Sequence, residues 1–243
     1  MTAGKTVLVT GANRGIGRAL VEEALKRGAK RVYLGTRQPL THPDERVTPL
    51  TLDVTDSEQI QQAVKQVGEL DILINNAGIV AFDDLSDRAV LDQMFAVNFF
   101  GVYDMVHAFL PLLVSSGGAI VNNISVNAFA PFPLVASYSV SKAAAFNLTQ
   151  SLRTLLAGRG VSVHAVMTGL VDTDMTKGFD AMAKSAPETV AQGVFDGLEK
   201  GEEEIFPDDM SAPMAESWRG GAGKALEQNY SSFAQQFMAA QQA

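Results

Sequence analysis

The stretch ASYSVSKAAAF sets a phenol, Tyr138, four residues ahead of an ammonium, Lys142. On a helix those positions lie one above the other on the same face, so the lysine can hold its charge near the phenol and ease the loss of its proton. Thirteen residues earlier stands Ser125, a hydroxyl at the end of GAIVNNIS, a run of strand character. Asn98 sits in MFAVNFFG among Phe95, Val97, Phe99 and Phe100. A buried amide needs partners of its own, which makes it an odd choice for packing alone. A second stretch, VLVTGANRGIG, carries Gly11, Gly15 and Gly17 between a strand-like run and a helix-like one. Glycines let the backbone approach a ligand without a Cβ in the way. The helix that follows aims unpaired N–H groups and a positive dipole end at the same spot, which suits a pyrophosphate.

The elements that must position these groups alternate. KTVLVT, RVYLGT, LDILIN, GAIVNNIS, VSVHAVMT and EEEIF are short apolar or β-branched runs separated by helix-like segments such as GRALVEEALKRGA; VTPLTLDV adds a further strand after the second. About seven nearly continuous apolar strands alternating with helices predict a parallel sheet covered on both faces, hence a doubly wound α/β three-layer sandwich. Ligands of such sheets sit beyond the carboxyl ends of the strands, where Ser125 would face the glycine turn. No linker or repeat interrupts the 243 residues, so one domain over 1–243 is expected, with a tail at 207–243 that is harder to read and a closing helix from about Lys224. The stretch from Arg37 to Asp53 holds three prolines and reads as a loop rather than a helical crossover.

Composition excludes several classes. The net charge of −8 provides no basic stripe for nucleic acid. There is no cysteine, and His42, His107 and His164 lack ligand spacing, so no metal site is expected. No run reads as the ~20 apolar residues that span a bilayer, and the N-terminus enters a strand at once, so a soluble cytoplasmic protein without membrane contact is expected.

The end of the second strand bears on which dinucleotide would bind. An NAD site wants a carboxylate there for the ribose 2′-hydroxyl, whereas a 2′-phosphate wants arginine. This chain has Gly35, Thr36 and Arg37, with no acid before Asp44, and Arg14 can reach the same region from the glycine turn. The pattern points to NADP(H).

Taken together, TGANRGIG, LDV, NNAG, VNFFG, Ser125 and YSVSK, in that order, resemble the short-chain dehydrogenase/reductase family in its smaller form, over about residues 3 to 206. The resemblance implies a Rossmann-type fold, a bound nicotinamide cofactor and a tetrad of Asn98, Ser125, Tyr138 and Lys142. It implies that Asn13 and Ile16 join the glycines at the cofactor, that Asp53 and Val54 flank the adenine, and that Asn75, Ala77 and Gly78 line the cleft. Thr168, Gly169, Val171 and Thr173 would border the nicotinamide, with Thr168 standing where the family usually has proline. In the family's chemistry Tyr138 passes a proton to a carbonyl oxygen that Ser125 hydrogen-bonds. Lys142 lowers the phenol's pKa and holds the ribose, and Asn98 anchors a water that feeds protons toward it.

The expected reaction is therefore reversible reduction of an aldehyde or ketone to an alcohol. Val126, Phe129, Phe132, Leu170, Val171 and Met175 predict an apolar pocket, and TDMTKGFDAMAKSAPE a lid hinged at Gly178. A homo-oligomer, dimer or tetramer, is expected, with the helices of Asn98 and Tyr138 as the dimer face. The alternative is a catalytically idle cofactor-sensing or scaffold protein on the same fold.

Overall fold

The structure, a computed structural model, describes residues 2–38, 40–179 and 181–241. Seven parallel strands form one sheet: β1 (Thr6–Thr10), β2 (Arg31–Thr36), β3 (Val47–Thr51), β4 (Ile72–Asn75), β5 (Ala119–Asn123), β6 (Ser162–Val166) and β7 (Glu204–Ile205). Their spatial order is β3-β2-β1-β4-β5-β6-β7. The chain winds outward from β1 to β3, then crosses back to β4 and winds toward the other edge. The order reverses between β1 and β4, which is where an open sheet of this Rossmann type binds its ligand.

Side chains alternate across the sheet, which is why both faces need apolar residues. Val7 and Val9 of β1 face a layer made by α1 (Gly15–Lys26) and α6 (Pro187–Lys200), where Leu20, Val190 and Phe195 complete the core. Leu8 faces the opposite layer of α2 (Ser57–Val67), α4 (Gly101–Ser116) and α5 (Ala136–Leu156), packed through Ile60, Met105, Phe109 and Leu152. Pro49 lies inside β3, paired with Leu34. It is tolerated because β3 is an edge strand, where a missing N–H breaks no outer ladder. The proline-rich loop therefore ends at Arg46.

Between β4 and β5 the chain forms α3 (Arg88–Phe95), a single π-helical turn at Ala96–Phe100, and α4, without a break. This run is long and apolar enough to cross a membrane by length and composition, contrary to the sequence expectation. Met105, Val106, Phe109 and Leu113 are nevertheless fully buried, the packing of a core helix.

The tail adds α7 (Ala215–Arg219) and α8 (Ala222–Gln241). Lys224 of α8 is buried among Glu203, Glu204 (2.9 Å) and Glu227 (3.1 Å), and Arg153 of α5 reaches Glu204 (2.9 Å) and Glu227. Arg153 also donates to the carbonyls of Val163 and Glu203. One ionic cluster thus fastens the last helix to α5 and the β7 edge.

Candidate active site

A cavity of about 770 Å³ opens along the carboxyl ends of the strands. At its β1 end Gly11 has φ +64°, and a Cβ there would stand 2.9 Å from Ala77 Cα. A Cβ on Gly17 would stand 2.2 Å from the Gly11 carbonyl oxygen. The chain can pack this tightly only as glycine. No side chain caps α1 at Arg14, and no acid occupies its first turn, which leaves its N–H groups and dipole for an anion. Asn13, Arg14, Gly15, Ile16, Arg37, Asp53, Val54, Ala77 and Gly78 line this half of the cleft, and Thr168, Gly169, Val171 and Thr173 close it from β6. These residues fit a dinucleotide. Arg37 is exposed at the rim beside Thr36. Arg14 instead reaches across to Asp174 at 3.0 Å.

A row of polar groups laces the strand ends together. The amides of Asn76 and Ala77 donate to Thr10 Oγ1, both at 3.0 Å, and Asn76 Nδ2 donates to Thr10 O at 3.0 Å. Asn123 Nδ2 donates to Asn76 Oδ1 (3.0 Å), and Thr168 Oγ1 donates to Asn123 Oδ1 (2.5 Å). Thr168 thus makes a bond that a proline could not make. The row ends at Lys142, whose Nζ donates to the Asn123 carbonyl at 2.8 Å.

Asn75 is a correction. It is buried off the cleft, its Nδ2 bonded to Asn122 Oδ1 at 2.9 Å, while Asn76 lines the cavity in its place. Adjacent residues at the end of a strand face opposite sides, so only one of the pair can serve the ligand.

Ser125, Tyr138 and Lys142 all line the cavity. Ser125 follows β5 and its Oγ accepts the Asn127 amide at 3.1 Å, starting a 3₁₀ turn at Val126–Ala128. The start of α5, and with it Tyr138, is fixed by Asp83 from a distant loop. Its carboxylate accepts the Ser137 amide at 3.0 Å and the Ser137 hydroxyl. Asn98 does not line the cavity. It is wholly buried in the π turn, where Oδ1 accepts the Ile79 amide (2.9 Å) and Nδ2 donates to the Ile79 carbonyl and Ser141 Oγ, both at 3.0 Å. The cleft lies just beyond it: a Cβ on Gly78 would sit 3.3 Å from Asn98 Oδ1 and 3.8 Å from Lys142 Nζ.

The electrostatics differ from the sequence expectation. Burial pushes the Tyr138 phenol up to about 12, with a hydrogen bond to Ser125 pulling the other way. Burial lowers Lys142 to about 8. Lys142 Nζ lies 5.7 Å from the Tyr138 ring centroid. Tyr138 is half-buried at the cavity wall and Lys142 is buried, and this loss of water contact outweighs their interaction across that separation.

At the far end Val126, Phe132, Leu170 and Met175 line the cavity, with Phe179, Met182 and Met210. Phe179 stands between Phe82 and Phe132, at centroid distances of 5.3 and 5.8 Å. Asp180, inside the stretch read as a lid, lies outside the described residues. Phe129 turns away from the cavity and stacks on Trp218 at 4.6 Å. The sequence reading missed Asn76 and Asn123, which strand alternation could have singled out from each Asn-Asn pair. Nothing in the sequence marked Asp83 or Met210.

A seven-stranded parallel sheet with its cleft at the switch point defines a Rossmann-type dinucleotide-binding fold. The short chain dehydrogenase family profile matches residues 5–184, and the chain belongs to that family. Over 185 residues it is 40% identical to the short-chain dehydrogenase srdE of Neurospora crassa, covering 71% of this chain but only 63% of that protein. A short-chain dehydrogenase from Burkholderia cenocepacia, solved in complex with NADP, superposes with a TM-score of 0.86 at 35% identity, over 94% of this chain and 98% of the other. A 3-ketoacyl-(acyl-carrier-protein) reductase from Brucella melitensis, complexed with NADH, shares the fold at 24% identity, with a TM-score of 0.76 over 84% of this chain and 94% of that one.

Proposed function

We propose that this oxidoreductase is an NADPH-dependent carbonyl reductase that reduces an aldehyde or ketone with apolar substituents and runs in reverse as an alcohol dehydrogenase. The observation that carries the reading is that Ser125, Tyr138 and Lys142 open onto the same cleft as the uncapped α1 terminus and the acid-free end of β2. When bound, NADP(H) supplies or accepts the hydride. In this reading exposed Arg37 would meet a 2′-phosphate at the rim and the α1 N-terminus would meet the pyrophosphate. Ser125 orients the carbonyl oxygen, and Tyr138 donates its proton to that oxygen as the carbon is reduced. Lys142, steadied by Asn123, holds the ribose hydroxyls. Asn98 Oδ1 and Lys142 Nζ border the niche left by Gly78, a polar space suited to a relay water.

The far end of the cleft, with Val126, Phe132, Leu170 and Met175, favours a neutral apolar substituent over a phosphorylated one. The segment carrying Phe179 is the candidate lid, with Gly178 (φ +98°) as hinge. Exposed Phe100, Tyr103, Val140 and Leu155 on the helices of Asn98 and Tyr138 support a homo-oligomer formed through that face. The idle-scaffold alternative is not favoured, since every member of the tetrad is present.

Tyr138→Phe tests the reading. Carbonyl reduction with NADPH should fall by on the order of 10²–10⁴, while NADPH fluorescence titration stays near the parent value. Turnover at the parent rate would remove Tyr138 from the mechanism.

A further inference from the structure

The loop that follows β6 rests against the segment that follows β7. In that segment Asp208 is only 3% exposed, and its charge is met by three backbone amides. Oδ1 accepts the N–H groups of Met210 (3.1 Å) and Ser211 (3.0 Å), which folds the turn onto itself. Oδ2 reaches out of the turn and accepts the Gly169 N–H at 2.8 Å. A cap for the turn needs only the first oxygen, and a neutral asparagine would supply it. A buried carboxylate is costly unless its second oxygen also has work. That work is on the cleft.

The approach is close enough that a Cβ on Gly169 would stand 2.5 Å from Asp208 Oδ1 and 2.7 Å from Met210 Cβ. It also brings Met210 over the cavity. The Leu170 N–H faces Met210 Sδ at 3.3 Å, and the Met210 side chain lines the cleft with Leu170 and Val126. A thioether on a flexible stem adapts to the shape of an apolar group laid against it.

We propose that Asp208 is a positioning residue of this site, and that Met210 is the specificity-determining wall it holds in place. The carboxylate fixes the Gly169–Leu170 backbone, and so sets the width of the apolar end relative to Tyr138 and Ser125. This deepens the carbonyl-reductase reading and rests on it for the substrate class.

Asp208→Asn is the test. It keeps an oxygen for Met210 and Ser211 but turns an N–H donor toward the Gly169 amide. Exchange of the Gly169 and Leu170 amides should quicken by about tenfold or more, the loss of one charge-assisted bond, while β6 stays protected. With NADPH and a graded series of apolar ketones, KM should rise by a similar factor and kcat should change less. Met210→Ala should shift kcat/KM toward the bulkier ketones by about tenfold. Unchanged exchange in Asp208→Asn, or faster exchange with the parent's KM and size preference, overturns the proposal. If the parent reduces no carbonyl, the functional reading fails separately. Amide exchange still decides the clamp, and protection of residues 168–171 by a bulky ketone added to the NADPH complex decides the wall.

Discussion

Replacing Lys142 sets catalysis and stability against each other. The side chain is 5% exposed, and burial lowers its pKa from 10.5 to about 8. At neutral pH both the folded and the unfolded chain carry the charge, so folding must take an ammonium out of water. At about 1.4 kcal/mol for each tenfold change, this costs the fold about 3 kcal/mol. Lys142→Met keeps the apolar stem and removes the charge. It also forfeits the 2.8 Å bond to the Asn123 carbonyl, which contributes about 1–2 kcal/mol. Without added dinucleotide the variant should be more stable at pH 7 by about 1–2 kcal/mol, melting higher by about 2–4 °C per kcal/mol, even as carbonyl reduction collapses.

The pH dependence identifies the cause. Between pH 8 and 10.5 the unfolded parent binds the extra proton, so parent stability climbs across that window and the penalty is gone above it. The methionine variant lacks that climb, so its advantage should vanish as pH rises from 8 to 10.5. Tyr138, pushed up to about 12, is common to both proteins and largely cancels. Chemical denaturation followed by circular dichroism at pH 7, 9 and 10.5 measures the gap. A variant less stable than the parent at pH 7, or a gap indifferent to pH, would refute the reasoning.

Arg37→Asp should weaken NADPH by about 10- to 100-fold and leave NADH within a few-fold; equal losses in titrations of the two would place the 2′-phosphate elsewhere. Glu227→Ala removes one anion from the cluster around Arg153 and Lys224. It should cost about 2–4 kcal/mol and speed proteolysis within α8 while NADPH binding persists. Protease resistance equal to the parent's would mean that other contacts hold the helix.

The doubly wound parallel sheet and the cleft position were legible because they follow from repeating apolar runs and a glycine turn, signals that are local in sequence. So were Ser125, Tyr138 and Lys142, which motif spacing places on one cleft. Asn75 was misplaced because a doubled asparagine conceals which residue faces the ligand, a matter of one step of strand alternation. Phe129 was misplaced because its neighbour is Trp218, 89 positions away and in the part of the chain with the fewest local signals. Separations of 39 and 40 positions from their partners Gly169 and Leu170 concealed Asp208 and Met210. The rise in the Tyr138 pKa escaped notice for a different reason: desolvation is set by everything packed around a group, and a four-residue spacing carries none of that.

Trp218 is the chain's sole indole, and it lies over Phe129 on the loop that begins at Ser125. Its emission therefore reports on one seam of the molecule, where the last fifth of the chain meets the rim of the cleft. Because reduced nicotinamide absorbs where tryptophan emits, the protein carries an unlabelled optical gauge, able to register coenzyme entry and any parting of that seam in the same cuvette.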